Sequence, residues 1–142
     1  MNQQVEQREN HIGYSRFFLV IGAVLGALAV IIGAFGAHAL KPILSDYGQG
    51  IWNTAVLYQM FHALAIVAVG ILLLLLNSRK LLLLAGFSFL IGSILFSGSL
   101  YTISLVSIGR LGLVTPIGGL FFIVGWLLLV SAAMASTRIR TL

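Results

Sequence analysis

The sequence predicts an all-α integral membrane protein, an up-down four-helix bundle, and three observations carry that prediction. The chain of 142 residues is 60% hydrophobic and only 8% charged, with a mean hydropathy of +1.11, which excludes a water-soluble globular domain. Four apolar segments, Phe17–Leu40, Val56–Leu76, Leu81–Val106 and Leu113–Ala135, contain no Asp, Glu, Lys or Arg. Each reaches the ~20 residues a helix needs to cross a ~30 Å hydrocarbon core. Continuous runs such as Ile71–Leu76 also replace the in-out alternation of a membrane β-barrel.

The first helix is expected at about residues 17–40, after a polar tail, residues 1–14, that reads as a cytoplasmic extension or short surface helix. The four-helix domain then occupies residues 15–142. Ala37–Ala39 has the A-x-A form of a signal-peptide cleavage site, but the apolar stretch before it exceeds the usual ~7–15 residues, so the segment reads as a retained helix. Pro42 stops it soon after Leu40. The second helix is expected at about 52–76, approached through the amphipathic stretch Ile51–Met60; Ser45 or Asp46 offers a cap, and Trp52 reads as an interfacial anchor. The short connection Asn77–Lys80 forces a third helix, about 81–106, to run antiparallel beside the second. The fourth, about 113–136, follows the tight connection Ser107–Gly112 and carries Pro116 in its first turn, where a missing N–H is harmless.

Small residues predict how the helices meet. Gly22, Gly26, Gly33 and Gly36 fall along one face of the first helix, Gly92 and Gly98 lie on the third, and Gly118, Gly119 and Gly125 on the fourth. Lipid is as apolar as leucine, so membrane helices associate where small residues let backbones approach and make dispersion contacts. Packing inside one bundle is the expected use of these faces; association with a second copy or another membrane protein is the alternative.

Charge predicts orientation. Of the eight basic residues, Arg8, Arg16, Arg79, Lys80, Arg138 and Arg140 fall on one side of a four-span chain and only Lys41 and Arg110 on the other. The positive-inside rule then puts both termini in the cytoplasm of a plasma (inner) membrane protein. The same placement beside the spans argues against nucleic acid as the partner of a chain with a pI near 10.3; the bilayer is the partner.

The polar residues inside the spans are the candidates for function. At 1.5 Å per residue, His38, Tyr58, Gln59, His62, Ser97, Tyr101 and Thr115 lie about 5–14 Å from the span midpoints, all toward the outer side. Tyr58, Gln59 and His62 share one helix face at spacings of three and four. Polar groups in hydrocarbon turn toward partners or a wet cavity, so these residues predict an outward-facing polar pocket, with mutual hydrogen bonding that fixes helix register as the competing reading. No cofactor and no metal site is expected. There is no Cys, the depths of His38 and His62 differ by about 8 Å, awkward for two axial haem ligands, and zinc or copper would need Asp46 or Met60 as further ligands. Paired intramembrane carboxylates, nucleophile motifs and phosphate loops are absent.

Four stretches in order, "GAFGAHALK" (Gly33–Lys41), "TAVLYQMFHALAI" (Thr54–Ile66), "FSGSLY" (Phe96–Tyr101) and "TPIGGLFFIVGW" (Thr115–Trp126), resemble the domain-of-unknown-function 423 family, small bacterial inner-membrane proteins with a mitochondrial-type relative. The likeness covers about residues 14–136. It implies a four-helix membrane protein without an established activity, and it transfers no catalytic residue. The expected function is therefore a non-enzymatic membrane protein whose outer pocket takes a small molecule, a lipid headgroup or a partner helix. A small transporter or channel subunit is the alternative, and a haem- or quinone-binding redox accessory a more distant one.

Overall fold

A computed structural model describes residues 2–106 and 112–136, with side chains from Ile12 onward. Arg110, Arg138, Arg140 and most of the connection Ser107–Gly112 lie outside the described residues, as does the side chain of Arg8. Four helices follow one another: α1 (Asn2–His38), α2 (Asp46–Leu75), α3 (Arg79–Val106) and α4 (Val114–Ala135). All four contain stretches long and apolar enough to span a membrane, the one in α1 covering Ile12–His38.

Local chemistry explains the boundaries. α1 is one continuous helix from Asn2, so the stretch read as a tail is helical and joined to the first span. Its last turn closes when the N–H groups of Ala39 and Leu40 both donate to the Phe35 carbonyl, at 2.9 and 3.1 Å. α2 begins about two turns before the expected start. Ser45 Oγ accepts the Gly48 N–H at 3.1 Å, and Asp46 places a negative charge at the positive end of the helix. At its far end, Leu76 N–H donates to Leu72 O at 2.8 Å, and three residues, Leu76, Asn77 and Ser78, make the turn into α3.

α1 packs on α2, α2 on α3 and α3 on α4, with no comparable α1–α4 interface among the described residues. α2 and α3 are therefore the inner pair: 44% of the apolar stretch of each is buried, against 17% for α1 and 22% for α4. The end of the bundle that holds the α2–α3 turn, Arg16, Arg79 and Lys80 is the basic end; the other is the Pro42 end.

Glycine sets the spacing at both outer interfaces. Between α3 and α4, aromatic rings fill two of the places that glycine leaves open, Phe122 covering Gly92 and Phe89 covering Gly125, while Gly118 lets the Phe96 backbone approach. A methyl on Gly92 would lie 2.5 Å from the Phe122 ring, one on Gly125 2.6 Å from the Phe89 ring, and one on Gly118 2.8 Å from the Phe96 Cα. Between α1 and α2, Gly22 faces the Ala63 carbonyl and Val67, Gly33 faces Val56, and Gly36 lies under Trp52. From the α2 side, Gly70 admits Leu19 and Ser15, whose Oγ donates to the Gly70 carbonyl at 2.6 Å. Gly26 and Gly119 have looser neighbours, at 3.9 Å from Ala63 and 3.8 Å from Phe96. Gly98 is a correction to the expected packing set, because a side chain there would meet nothing within 4 Å.

The basic half of the bundle is filled by Phe18, Val69, Leu73, Leu82, Ala85 and Phe89, all fully or almost fully buried. Phe18 reaches from α1 to α3, against Gly86 and edge-on to Phe87 with centroids 5.2 Å apart. Trp52 corrects a second expectation. It is 5% exposed, not an interfacial anchor: it turns inward over Gly36 and donates its indole N–H to the Ile32 carbonyl at 3.1 Å. The missing side chain at Gly36 makes room for the ring, and a buried indole N–H needs an acceptor.

Two glycines on neighbouring helices, Gly118 of α4 and Gly98 of α3, should respond oppositely to the same added methyl. Gly118→Ala must push against the Phe96 backbone and should lower stability by about 1–3 kcal/mol, whereas Gly98→Ala, with open space around it, should be neutral or raise stability by up to about 1 kcal/mol. Thermal unfolding of the purified protein in detergent measures both, and equal effects would contradict the packing described.

Candidate functional site

The polar side chains gather on α2, at the level where it meets all three other helices. Gln59 is 5% exposed and has both ends occupied: its Nε2 donates to the Leu25 carbonyl of α1 at 2.9 Å, and its Oε1 accepts the Tyr101 hydroxyl of α3 at 2.9 Å. One amide thus ties three helices. The Tyr101 ring in turn packs beside Trp52, with centroids 4.8 Å apart.

One turn further along, His62 is buried and bonded through both ring nitrogens. Its Nδ1 lies 2.8 Å from the Tyr58 carbonyl, and its Nε2 lies 3.3 Å from the Trp126 indole N–H of α4. A carbonyl only accepts and an indole only donates, so the neutral tautomer that satisfies both carries its proton on Nδ1. The ring stacks flat on Phe122, with centroids 3.4 Å apart and planes 7° from parallel. Tyr58, whose ring stacks on Phe96, is half-exposed and turns toward α4.

Near the Pro42 end, Ser99 Oγ donates to the Phe96 carbonyl at 2.9 Å. Its one proton is thereby used, so the 2.7 Å contact with Thr115 Oγ1 has the threonine as donor, which links α3 to α4. Ser97 is 1% exposed, and its hydroxyl has no partner among the described residues.

Two clefts border these groups. One of about 520 Å³ lies at the Pro42 end, between Tyr47 and Ile51 of α2, Phe96, Leu100 and Ile103 of α3, and Thr115 and Pro116 of α4. The other, about 420 Å³, opens sideways between α2 and α4 and is lined by Leu57, Tyr58, Phe61, His62 and Trp126.

The structure therefore brings together Tyr58, Gln59, His62 and Tyr101, sets Thr115 in the cleft at the Pro42 end, and leaves Ser97 enclosed nearby on α3. His38 stands apart. It ends α1 exposed, where a histidine suits the negative end of the helix, and no polar group of α2 or α3 bonds it. The reason is angular: at about 100° per residue, His38 lies some 200° around α1 from Gly36, which faces α2. Several members of the polar framework were not singled out from sequence for this role. Trp126 and Ser99 belong to the motif stretches, but the Leu25, Ile32, Tyr58 and Phe96 carbonyls are backbone acceptors and leave no mark in residue type.

Gln59→Leu should cost about 1–3 kcal/mol, because it leaves the Tyr101 hydroxyl without its acceptor. Tyr101→Phe should cost a similar amount, and the two together less than the sum of the singles by about 0.5–2 kcal/mol. A double-mutant cycle on thermal stability gives the coupling. Strict additivity would mean that the 2.9 Å contact contributes nothing.

Comparison with known proteins identifies the family. A family model described as "Protein of unknown function (DUF423)" matches residues 32–119. The chain is 41% identical over 119 residues to the UPF0382 membrane protein YwdK of Bacillus subtilis, covering 84% of this chain and 97% of that one. It is 42% identical over 117 residues to a UPF0382 membrane protein of Staphylococcus haemolyticus, covering 81% and 93%. A UPF0382 membrane protein of Staphylococcus epidermidis is 41% identical over 121 residues, covering 84% and 96%. No solved structure matches the chain at a significant level. The chain belongs to the DUF423 family and is a membrane protein; the names of these relatives state a membrane protein and no activity.

Proposed function

We propose that this is a non-enzymatic protein of the plasma (inner) membrane, with both termini cytoplasmic, that holds an amphiphile in the cleft at its Pro42 end, the outer side. The observation that carries this reading is the cleft itself. Its volume of about 520 Å³ suits a small ligand or part of a lipid, its walls are mostly apolar, and hydroxyls from Tyr47 and Thr115 stand on two of its helices. Thr115 spends its proton on Ser99 and keeps oxygen lone pairs for a donor on the ligand. An apolar body with a hydrogen-bonding head is the class of molecule that fits.

The filled basic half supports a blind pocket over a channel or transporter. Below the polar level, the interior is Phe18, Val69, Leu73, Leu82 and Ala85, with Ser15, whose hydroxyl is spent on the Gly70 carbonyl, and Ser88 as buried polar groups, too few to line a path for an ion or hydrophilic solute. The inner polar groups, Gln59 and His62, are tied to neighbouring helices and serve register more than ligand capture.

Two measurements test the reading. Reporter fusions after Leu142 and at Gly48, in the first turn of α2, should report opposite sides of the membrane, the first cytoplasmic; the same side for both would remove a span. Mass spectrometry of amphiphiles that copurify with the protein should find a species retained by the wild type and lost from Ile103→Trp, which fills the cleft. An unchanged complement in a folded Ile103→Trp protein would rule the cleft out as the binding site.

A further inference from the structure

At the opposite end of the bundle the α2–α3 turn and the end of α4 border a separate, open cleft of about 490 Å³, lined by Asn77, Ser78, Arg79, Lys80, Leu81 and Ala135. Two of these six side chains are cations, and nothing on the described surface neutralises them. Asp46 is the only carboxylate among the residues whose side chains are described, and it sits in the first turn of α2, a 30-residue helix that must be crossed to reach Arg79. At about 1.5 Å per residue that is roughly 45 Å, far beyond the reach of an ion pair.

Arg79 is set up as more than a topology signal. Its guanidinium carbon lies over the Tyr14 ring, 5.4 Å from the centroid, a cation–π contact that favours this position of the charge. Cation–π contact satisfies the face and not the N–H donors at the edge. One of those donors, Nε, is shut away from solvent and has no acceptor among the described residues. A desolvated donor on a permanent cation is a costly arrangement unless an anion completes it. Lys80, next in sequence and exposed, adds a second charge, and both residues belong to the first turn of α3, the positive end of the helix dipole.

We propose that this cleft binds a phosphate oxyanion, carried by the headgroup of an anionic phospholipid. The guanidinium fork and the neighbouring ammonium match a phosphodiester in charge and geometry. The lipid source follows from position: the turn lies where the apolar stretches of α2 and α3 end, at headgroup level, and Leu81 and Ala135 give the cleft an apolar wall along which an acyl chain can run back into the bilayer. The site is separate from the cleft at the Pro42 end and does not depend on the reading given to it.

The test uses the full chain, purified in a neutral detergent, with binding followed by native mass spectrometry and by the rise in unfolding temperature. Phosphatidylglycerol, phosphatidylcholine and inorganic phosphate are the three probes. Phosphatidylglycerol should bind in preference to phosphatidylcholine. Arg79→Gln and Lys80→Gln should each weaken it roughly five-fold, and Arg79→Lys, which keeps the charge and loses the fork, should fall between wild type and Arg79→Gln. Lys41→Gln, at the other end of the bundle, should leave binding unchanged. Lys80 is exposed, so Lys80→Gln keeps the test readable if Arg79→Gln fails to fold. Equal binding of the two lipids, or an undiminished preference in Lys80→Gln, would overturn the proposal. A stabilisation by inorganic phosphate as large as that by phosphatidylglycerol would overturn the lipid assignment.

Discussion

Close approach of helices in a solvent as apolar as their own side chains is the constraint on which the structure depends. In water, burying leucine would hold four such helices together; in hydrocarbon it gains little, and what remains is dispersion between surfaces that fit. The Gly92–Phe122 and Gly125–Phe89 pairs of α3 and α4 supply that fit with the largest available contrast, a whole ring seated where no side chain stands, and Gly118 brings α4 against the Phe96 backbone of α3. At the α1–α2 interface the same device works with smaller partners, Val56, Val67 and the Ala63 carbonyl, and with one large one, Trp52 over Gly36. The backbone contact at Gly70 is close enough for Ser15 to bond the Gly70 carbonyl across the interface.

Polar groups then act as fixed points along surfaces that could otherwise slide. Gln59 bonds α1 and α3 at once, His62 bonds α4, and Ser99 and Thr115 bond α3 to α4. Each such bond contributes on the order of 1 kcal/mol inside a membrane, less than the packing around it, but a shift of one turn would break it and leave buried donors and acceptors unpaired. The contrast between the two halves of the bundle follows. Toward the Pro42 end, polar ties alternate with clefts; toward the basic end, Phe18, Leu73, Leu82 and Phe89 close the interior.

The two ends consequently present different chemistry to the bilayer. The Pro42 end offers an apolar cleft with hydroxyls, suited to a neutral amphiphile; the basic end offers a guanidinium and an ammonium, with no carboxylate beside them among the described side chains, in a cleft of similar size. A protein with no carboxylate inside its spans cannot neutralise cations internally, so any balancing charge at the basic end comes from residues or lipids outside the described surface. The Tyr58–Trp126 cleft opens sideways between α2 and α4, in a bundle with no extensive α1–α4 interface among the described residues.

Sequence by itself determined the solvent, the helix number and the depth of each polar group, because hydropathy and the 1.5 Å rise depend only on residue type and position along the chain. It also marked most glycines of the packing faces and the membership of Tyr58, Gln59, His62 and Tyr101 in one polar level. Direction around each helix was decided by the tertiary structure. Depth places His38 and Trp52 near the same end, yet one points outward and the other inward, since the azimuth that counts is the one set by Gly36 against α2. Gly98 looks like Gly92 in sequence and differs only in having no ring opposite it. Hydrogen-bond partners were the least legible, because Leu25, Ile32 and Gly70 take part through their carbonyls, and a carbonyl becomes a specific acceptor only when another helix brings a donor to it.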